Sequence, residues 1–525
     1  MSIETPARAS LDALSSKMSS WVPSLVLMIL TVVAFSGGLT GGFVLDDDYA
    51  IARNPVVQGD APLIDAFKLT FWGRPLDTYP PTYRPLVTLT FAADHLLGGN
   101  SGVLFHVSSL LWYLGLVLAA WSLARRCIGD LPGWVAIALF SVMPTHVETV
   151  SSLVGRADTM GVLAAVLSLI AIFPKSLTGM SVSRLLLATL SFGAALLCKE
   201  NMVIFPVVVA LLIEFRRRRH TPLPLLKAHL PSLTMLVVLG VYAVLRLHFQ
   251  PGLLTGEAPD DVLDGASVLE RIGYGLELLA RYAGLVAIPV NLCTGRKFAE
   301  VYRPEHLSMM MVMGAIVLAA TMYSSWRDYQ ERRFPFSLVA LASLFVVSGV
   351  VLAMPESMAD RYILFSSLFL CLAIAPPLLS FVRTVKPGWA VLPAILFVQL
   401  ILSQRQSRTW HDDRSLLSHA VDACPDSVHN HFRYAEYLAN HGESAEAVWH
   451  YAVVTKGRHA FPYAWSHPAK EEERSMPIAE RLQKMHALLG FNIDEASWRT
   501  RFEQFLISIG RVTEANLVAS IGPQP

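Results

Sequence analysis

The 525-residue chain carries little charge and no excess of either sign. Only 16% of its residues are charged, and 42 Lys and Arg residues against 41 Asp and Glu residues give a net charge of +1. Such a chain lacks the basic surface that a nucleic-acid-binding protein needs. Because 53% of the residues are hydrophobic and the mean hydropathy is +0.46, the composition also excludes an ordinary soluble domain and indicates a polytopic membrane protein.

Cysteine is also scarce, and the five residues are scattered along the chain: Cys127, Cys198, Cys293, Cys371 and Cys424. None of their spacings is that of a zinc site, and the spacings leave any disulfide undetermined. The N-terminus lacks a short apolar region followed by a small-residue cleavage site. We therefore interpret the first apolar segment, 21–39, as a retained membrane helix and not as a signal peptide.

Long apolar runs recur along the chain, and they approach the roughly 20 residues that a helix needs to cross the hydrocarbon core. They are 21–39, 103–124, 131–147, 158–173, 184–198, 202–215, 231–249, 307–324, 336–354, 361–382 and 388–404. The sequence therefore predicts an all-α membrane protein with about eleven transmembrane helices.

Lys and Arg residues collect in alternate short loops, for example at 125–126, 216–219 and 332–333. The positive-inside rule assigns these loops to the cytoplasm. The loop 40–102 and the polar tail then lie on the non-cytoplasmic side. This alternation holds only if the apolar stretch from Gly275 to Pro289 does not cross the membrane, and we expect this stretch to form an interfacial or re-entrant helix.

The outer loop 40–102 begins with three consecutive carboxylates, Asp46, Asp47 and Asp48. An acidic triplet beside a membrane helix can be a solvated cap that stops the helix from sliding inward. An ordered loop of about sixty residues is, however, usually functional. We therefore expect the triplet to belong to a site at the membrane surface.

Six motifs occur in the order in which a known family has them. They are Phe43-Val44-Leu45-Asp46-Asp47, Tyr83-Arg84-Pro85-Leu86, the stretch 144–150 running into 154–158, Cys198-Lys199-Glu200, Ala359-Asp360-Arg361-Tyr362, and the stretch 410–426. With them the chain resembles the transmembrane and tetratricopeptide-repeat O-mannosyltransferases over most of its length. It departs from that family in a much shorter repeat region, which would suit a bacterial member. It also has Asp48 where the family more often has a small or variable residue.

The resemblance implies a GT-C glycosyltransferase fold, in which membrane helices present an outward-facing cleft to a sugar linked to a lipid phosphate, and inversion at C1 by single displacement. A Ser or Thr hydroxyl is too weak a nucleophile at neutral pH unless a carboxylate takes its proton. Asp46 or Asp47 is expected to be this base. The other would be a positioning group, because successive side chains of an extended segment diverge; the family's pattern slightly favours Asp46 as the base.

The leaving group would be a lipid phosphate whose negative charge grows as the glycosidic bond breaks, so the site should contain fixed cations. The candidates lie in four outer segments: Arg84, Arg156, Lys199 and Arg361. Arginine suits a phosphate through its planar guanidinium, whereas lysine acts as a point charge. Two of them have a structural alternative, because Arg156 could pair with Asp158 and Lys199 with Glu200 at helix ends. We assign these cations and both carboxylates to substrate binding.

His146 and Glu148 complete the predicted substrate-binding set. A His-x-Glu pair can ligate a metal, but no third His or Cys lies nearby in the sequence, so a hydrogen-bonded pair that lines the cleft is the better interpretation. A divalent ion at the acidic triplet is an alternative. We expect neither a metal nor another cofactor.

The chain divides into a transmembrane domain, 1–404, and an extracytoplasmic tail, 405–525. In the tail, residues 434–451 match one helix-turn-helix unit of the tetratricopeptide type. A solenoid needs about three units for stability, so the segments 471–490 and 494–519 are expected to pack on as degenerate helical pairs or caps. The tail would either hold an acceptor polypeptide near the cleft or form a structural plug.

The expected function is transfer of a sugar, mannose by the resemblance, from a polyprenyl or dolichyl phosphate to a Ser or Thr hydroxyl of a protein on the non-cytoplasmic side. A lipid or cell-envelope glycan is the alternative acceptor. A transporter or a repeat-bearing scaffold is the alternative of another class. Transporters concentrate ionisable residues near the bilayer midplane on broken helices, whereas here they lie at outer helix ends. The membrane would be the bacterial plasma membrane or the eukaryotic endoplasmic reticulum, and no nucleic acid is expected as a partner.

Overall fold

The structure is a computed structural model that describes residues 21–78, 82–173, 180–219, 225–249, 267–296, 308–348, 350, 358–385, 388–425, 427–456, 503–504, 506–507 and 510–520. These residues form helices and loops and include no β-strand, which confirms the all-α prediction for the described part of the chain. The chain forms two compact units. One comprises 1–290, 304–355 and 360–411, and the other comprises 291–303, 356–359 and 412–525.

The α-helices of the first unit follow one another as α1 (Val22–Phe35), α2 (Pro55–Gln58), α3 (Pro85–Gly98), α4 (Gly102–Ile128), α5 (Asp130–Ser141), α6 (Val147–Ser151), α7 (Arg156–Ile172), α8 (Val182–Cys198), α9 (Phe205–Arg219), α10 (Leu225–Ala228), α11 (Leu230–Phe249), α12 (Val268–Ala287), α13 (Met309–Gln330), α14 (Phe336–Phe345), α15 (Leu364–Thr384) and α16 (Val391–Arg408). Helix α7 packs against both α4 and α8, α5 packs against α4 and α15, and α16 packs against α1.

Short 3₁₀ helices interrupt these α-helices at the positions of the sequence motifs. They lie at Pro144–His146, Leu153–Gly155, Glu200–Ile204 and Asp360–Ile363. Helix ends leave backbone N–H and C=O groups without intrahelical partners. Each break therefore places backbone polar groups beside the side chains of a sequence motif, within a chain that is otherwise apolar.

Five helices of the described residues are long and apolar enough to cross a membrane: Gly102–Ile128, Leu153–Ile172, Leu230–His248, Met309–Gln330 and Asp360–Thr384. The pair Asp130–Ser141 and Pro144–Ser151, bent by 55°, makes up to six. The protein is thus an integral membrane protein. The predicted count of about eleven spans is not confirmed, because several predicted spans are short, such as Val182–Cys198 and Phe336–Phe345.

Most of the apolar stretch from Gly275 to Pro289 lies in α12, an unbroken helix of 20 residues that ends at Ala287. Its first turn is fixed by a capping box, in which Ser267 and Glu270 each accept a backbone N–H of the other. Glu277 is buried in the middle of the helix and accepts hydrogen bonds from Arg281 and Ser308. The helix is regular and carries several charges, and its interfacial position stays a prediction.

The outer loop is ordered by a hydrophobic cluster of its own. Ile51, Phe71 and other apolar residues of the loop pack on Phe91 of α3, Phe105 of α4 and Met160 of α7. This cluster fixes the backbone of the acidic motif, which lies just before it in the chain, against α3, α4 and α7.

The second unit contains α17 (Asp413–Ala423), α18 (Val428–Asn440), α19 (Ser444–Lys456) and α20 (Val512–Ser520). The segment 291–296 is attached to α17 and α18 by a disulfide between Cys293 and Cys424. Next to it, Asn430 donates to the carbonyl of Thr294 at 3.0 Å, and Ser427 donates to that of Gly295 at 3.0 Å. These bonds hold residues distant in sequence in one compact unit.

Helices α18 and α19 pack on each other at the position of the predicted tetratricopeptide unit. Gly442 between them has a φ of +80°, a left-handed conformation that glycine adopts without a steric cost. A repeat array is not confirmed. The segment 471–490 lies outside the described residues, and 494–519 lies outside them except for 503–504, 506–507 and 510–519.

Candidate active site

The acidic motif forms a tight turn with a strained residue at its start. Leu45 has a φ of +48°, which is unusual for a residue with a β-carbon. The turn lets both carboxylate oxygens of Asp47 accept backbone N–H groups, from Val44 at 3.2 Å and from Val154 at 3.0 Å. Asp47 thereby ties the outer loop to the break before α7.

The three aspartates of the motif lie in different environments. Asp47 is fully buried; this burial, with a smaller contribution from the adjacent Asp46, raises its pKa to about 7 although the backbone N–H groups lower it. Asp46 is half-buried. Asp48 forms an exposed pair with Arg53 at 2.6 Å, an arrangement that contributes little to stability.

A cluster of three ion pairs brings the other motifs together. Arg84 donates two hydrogen bonds to Glu200, from Nε at 3.1 Å and from Nη2 at 2.7 Å. The Lys199 ammonium lies 2.8 Å from Asp158.

The third pair joins Arg361 and Glu148. The backbone N–H of Arg361 donates to Glu148 at 2.9 Å, and its Nη1 donates to the other carboxylate oxygen at 2.5 Å. Arg361 lies within electrostatic range of both Arg84 and Lys199. Three cations and three carboxylates from five separate segments of the chain therefore meet in one cluster.

The cluster perturbs the pKa values of its members. The partial burial of Glu200 acts to raise its pKa, but the neighbouring Arg84 and Lys199 outweigh this effect and hold that pKa below its usual range. Burial lowers the pKa of Lys199, and Arg84 lowers it further, against the opposing effect of Asp158. Glu200 is therefore ionised at neutral pH.

Arg156 does not belong to these three ion pairs, and its role in substrate binding stays a prediction. Its side chain is completely buried and pairs at 2.6 Å with Asp94 of α3, not with Asp158. It also donates to Ser109 at 3.0 Å and to the carbonyl of Phe105 at 2.8 Å. Its charge is thus compensated by Asp94, where α3 meets the start of α7.

Glycine at 155 explains how Arg156 reaches this position. A β-carbon at Gly155 would lie 2.6 Å from the carbonyl oxygen of Thr149 and 2.8 Å from that of Glu148. The chain can therefore turn closely over α6 before α7 begins only if residue 155 has no side chain.

His146 and Glu148 do not form the predicted pair. His146 is fully buried, with Nδ1 2.8 Å from the hydroxyl of Tyr113 and Nε2 2.8 Å from that of Ser367. Tyr113 also donates to the carbonyl of Phe140 at 3.2 Å and Ser367 to that of Leu364 at 2.9 Å, so both hydroxyl groups beside His146 have backbone acceptors of their own. His146 thus links α4 to α15, whereas Glu148 binds Arg361.

Several residues that complete these contacts were missed in the sequence. Asp94 has a detectable signal, because it is an acid on the apolar helix α3 and such charges need a partner. Tyr113 and Ser367 have none, because they lie in long apolar helices where a hydroxyl is common. In the described ranges no three His, Cys, Asp or Glu side chains are grouped as metal ligands would be.

Comparisons with known proteins show what the chain is similar to. Residues 80–245 match the family described as dolichyl-phosphate-mannose-protein mannosyltransferase. A protein O-mannosyl-transferase of Caenorhabditis elegans is 24% identical over 81% of this chain and 61% of its own length. The human protein O-mannosyl-transferase TMTC1 is 24% identical over 82% of this chain and 54% of its own length. The chain is thus similar to these O-mannosyl-transferases over most of its length.

The matched part of the chain includes α3 to α10 and most of α11. It therefore contains Arg84, Glu148, Asp158, Lys199 and Glu200. The chain spans little more than half to about two thirds of the curated relatives' length. Among solved structures, an oligosaccharyltransferase of Archaeoglobus fulgidus superposes with a TM-score of 0.44 at 13% identity, over 78% of this chain and 57% of that one. This likeness is too distant to define the fold further.

Proposed function

We propose that the protein transfers a mannosyl residue from a polyprenyl or dolichyl phosphate to a Ser or Thr hydroxyl of a protein on the non-cytoplasmic side of the membrane. The observation that carries the proposal is the convergence of the motif residues. Arg84, Asp158, Lys199 and Arg361 are separated by up to 277 positions in the chain, yet their side chains form one cluster.

Asp46 is the proposed general base. Both oxygens of Asp47 accept backbone N–H groups and its side chain is fully buried, so Asp47 is fixed by the backbone and is not accessible to a substrate hydroxyl. Asp46 is next to it and half-buried. A general base has to lie within hydrogen-bond reach of the proton that it takes, and of the two residues Asp46 is the more accessible. Asp47 is then the positioning residue that fixes the turn.

In the proposed reaction the acceptor hydroxyl oxygen attacks C1 of the mannosyl group and gives its proton to Asp46. The bond between C1 and the phosphate oxygen breaks, and its electron pair stays on the lipid phosphate. Arg84 and Arg361 are partly exposed members of the cluster, and they would stabilise the charge that develops on this phosphate. A GT-C arrangement of the membrane helices is the fold in which such a cleft would lie.

The sidedness of the tail is supported by the disulfide in the second unit. Disulfides persist in oxidising compartments and are rare in the cytosol. The segment around Cys293 and the tail after Asp412 would thus be extracytoplasmic, as the distribution of Lys and Arg residues predicts. The acceptor protein would be met there.

The direct test is transfer of radiolabelled mannose from polyprenyl-phosphate mannose to acceptor peptides by the purified full-length protein. The variant Asp46→Asn should lower turnover by ~10²- to 10⁴-fold, because it removes the general base. The matched control is Asp48→Asn, which removes an exposed carboxylate of the same turn and should leave most of the activity. Label that enters only lipid or glycan would refute the protein acceptor, and an active Asp46→Asn variant would refute the base.

A further inference from the structure

The cations proposed to receive the lipid phosphate are already bound to carboxylates. Arg84 uses two of its N–H groups on Glu200, Arg361 is bound to Glu148, and Lys199 to Asp158. The three pairs sum to no net charge. A phosphate that enters this cluster therefore competes with a carboxylate for the same donors.

Glu200 differs from the other two carboxylates in its accessibility. Its side chain is 41% exposed, whereas those of Glu148 and Asp158 are 6% and 3% exposed. Glu200 could leave Arg84 for water at little cost, but an unpaired Glu148 or Asp158 would remain a buried charge. Glu200 also lies at the start of the short 3₁₀ helix Glu200–Ile204 between α8 and α9, not inside a long helix.

The surroundings of this pair contain polar atoms that the described residues do not satisfy. The hydroxyl of Tyr242 on α11 is buried without a hydrogen-bond partner there, as is the side-chain oxygen of Asn201 beside Glu200. Tyr242 lies within electrostatic range of both Glu200 and Arg84. A buried hydroxyl without a partner costs free energy in a folded protein, and an oxyanion bound to Arg84 would be a suitable acceptor for it.

We propose that Glu200 is an internal competitor of the donor's phosphate group: it holds Arg84 between turnovers, yields Arg84 to the lipid phosphate, and returns to displace the product. The guanidinium can make the same two parallel hydrogen bonds to a carboxylate or to a phosphate. This inference rests on the proposed function, because it needs a lipid-phosphate donor.

The competition matters most for the product. The donor phosphate is a diester with one negative charge, whereas the lipid phosphate that remains after transfer is a monoester with up to two. Arg84 would thus hold the product more tightly than the donor. A neighbouring carboxylate that competes for the same guanidinium opposes this retention and favours release.

The test measures binding of farnesyl phosphate to the purified full-length protein in detergent, with farnesol as the control for the apolar chain. Glu200→Gln should bind farnesyl phosphate about tenfold more tightly than the wild type, at the lower end of what hydrogen bonds to charged groups contribute. Glu200→Asp keeps the charge on a shorter side chain and should lie between the two. Farnesol binding should be unchanged in both.

Glu443→Gln is the matched control, because Glu443 also accepts two hydrogen bonds from one arginine, Arg414, and has a similarly exposed side chain. Its binding should equal that of the wild type. If the wild type binds farnesyl phosphate but Glu200→Gln and Glu200→Asp bind it no better, the inference is overturned and Glu200 only orients Arg84. If no variant binds it, the proposed lipid-phosphate donor is also wrong.

Discussion

Replacing Arg156 by methionine distinguishes a structural role of this residue from a role in substrate binding. Its sequence motif predicts that Arg156 binds substrate, whereas in the structure it is buried and paired with Asp94. Methionine has a similar length but no charge, so the variant removes the bond to Asp94 and those to Ser109 and Phe105. The side chain of Asp94 is only 9% exposed. Loss of one partner of such a buried pair costs about 3–5 kcal/mol, because it leaves an uncompensated charge.

The free energy of unfolding can be followed by tryptophan fluorescence during titration of the detergent-solubilised protein with sodium dodecyl sulfate. Arg156→Met should lose about 3–5 kcal/mol, and Asp94→Asn added to it should restore part of that loss because no buried charge then remains. Arg414→Met, which breaks an exposed pair, should lose less than about 1 kcal/mol. The folded Arg156→Met variant should bind farnesyl phosphate like the wild type. Normal stability together with more than about tenfold weaker binding would contradict this reasoning and make Arg156 a phosphate ligand.

Two further predictions concern Asp47 and the membrane topology. Because the pKa of Asp47 rises from 3.8 to about 7 on folding, its contribution to stability is full below about pH 4 and is lost as the pH rises through about 7. The unfolding midpoint of Asp47→Asn relative to the wild type should therefore increase between pH 5 and pH 8, and a difference independent of pH would exclude this titration. In a protein whose unpaired cysteines Cys127, Cys198 and Cys371 are replaced by alanine, an impermeant thiol reagent added outside should label Val512→Cys but not Tyr329→Cys. The reverse pattern would move the site to the cytoplasmic face.

The sequence predicts which segments matter better than it predicts which side chains pair. The motif order correctly groups Arg84, Lys199 and Arg361, because each follows or precedes a helix break on the same predicted side of the membrane. It fails for the nearest-neighbour pairs. Arg156 and Asp158 are two positions apart, and residues with that spacing point to different sides of a helix, so each binds a residue of another helix instead.

The choice of partner depends on helix packing, which a single sequence does not contain. Lys199 binds Asp158 because α7 packs on α8, and His146 binds Ser367 because the segment before α6 meets α15. Both contacts join residues more than 40 positions apart. The number of spans was harder to predict for another reason: helices bent at Pro144 or shorter than a bilayer still have continuous apolar sequence.

The disulfide between Cys293 and Cys424 also restricts how the intervening chain is threaded through the bilayer. Two cysteines that bond must be on the same side, so the chain between them, over a sequence separation of 131, must cross the membrane an even number of times. Among the described residues between the two cysteines, two helices are long enough to span, Met309–Gln330 and Asp360–Thr384. These two helices satisfy this parity, and so do the four spans predicted from the sequence. During synthesis the bond can form only after the chain between the two cysteines has been inserted and Cys424 has reached the same side of the membrane as Cys293. Formation of the bond therefore reports that this insertion is complete.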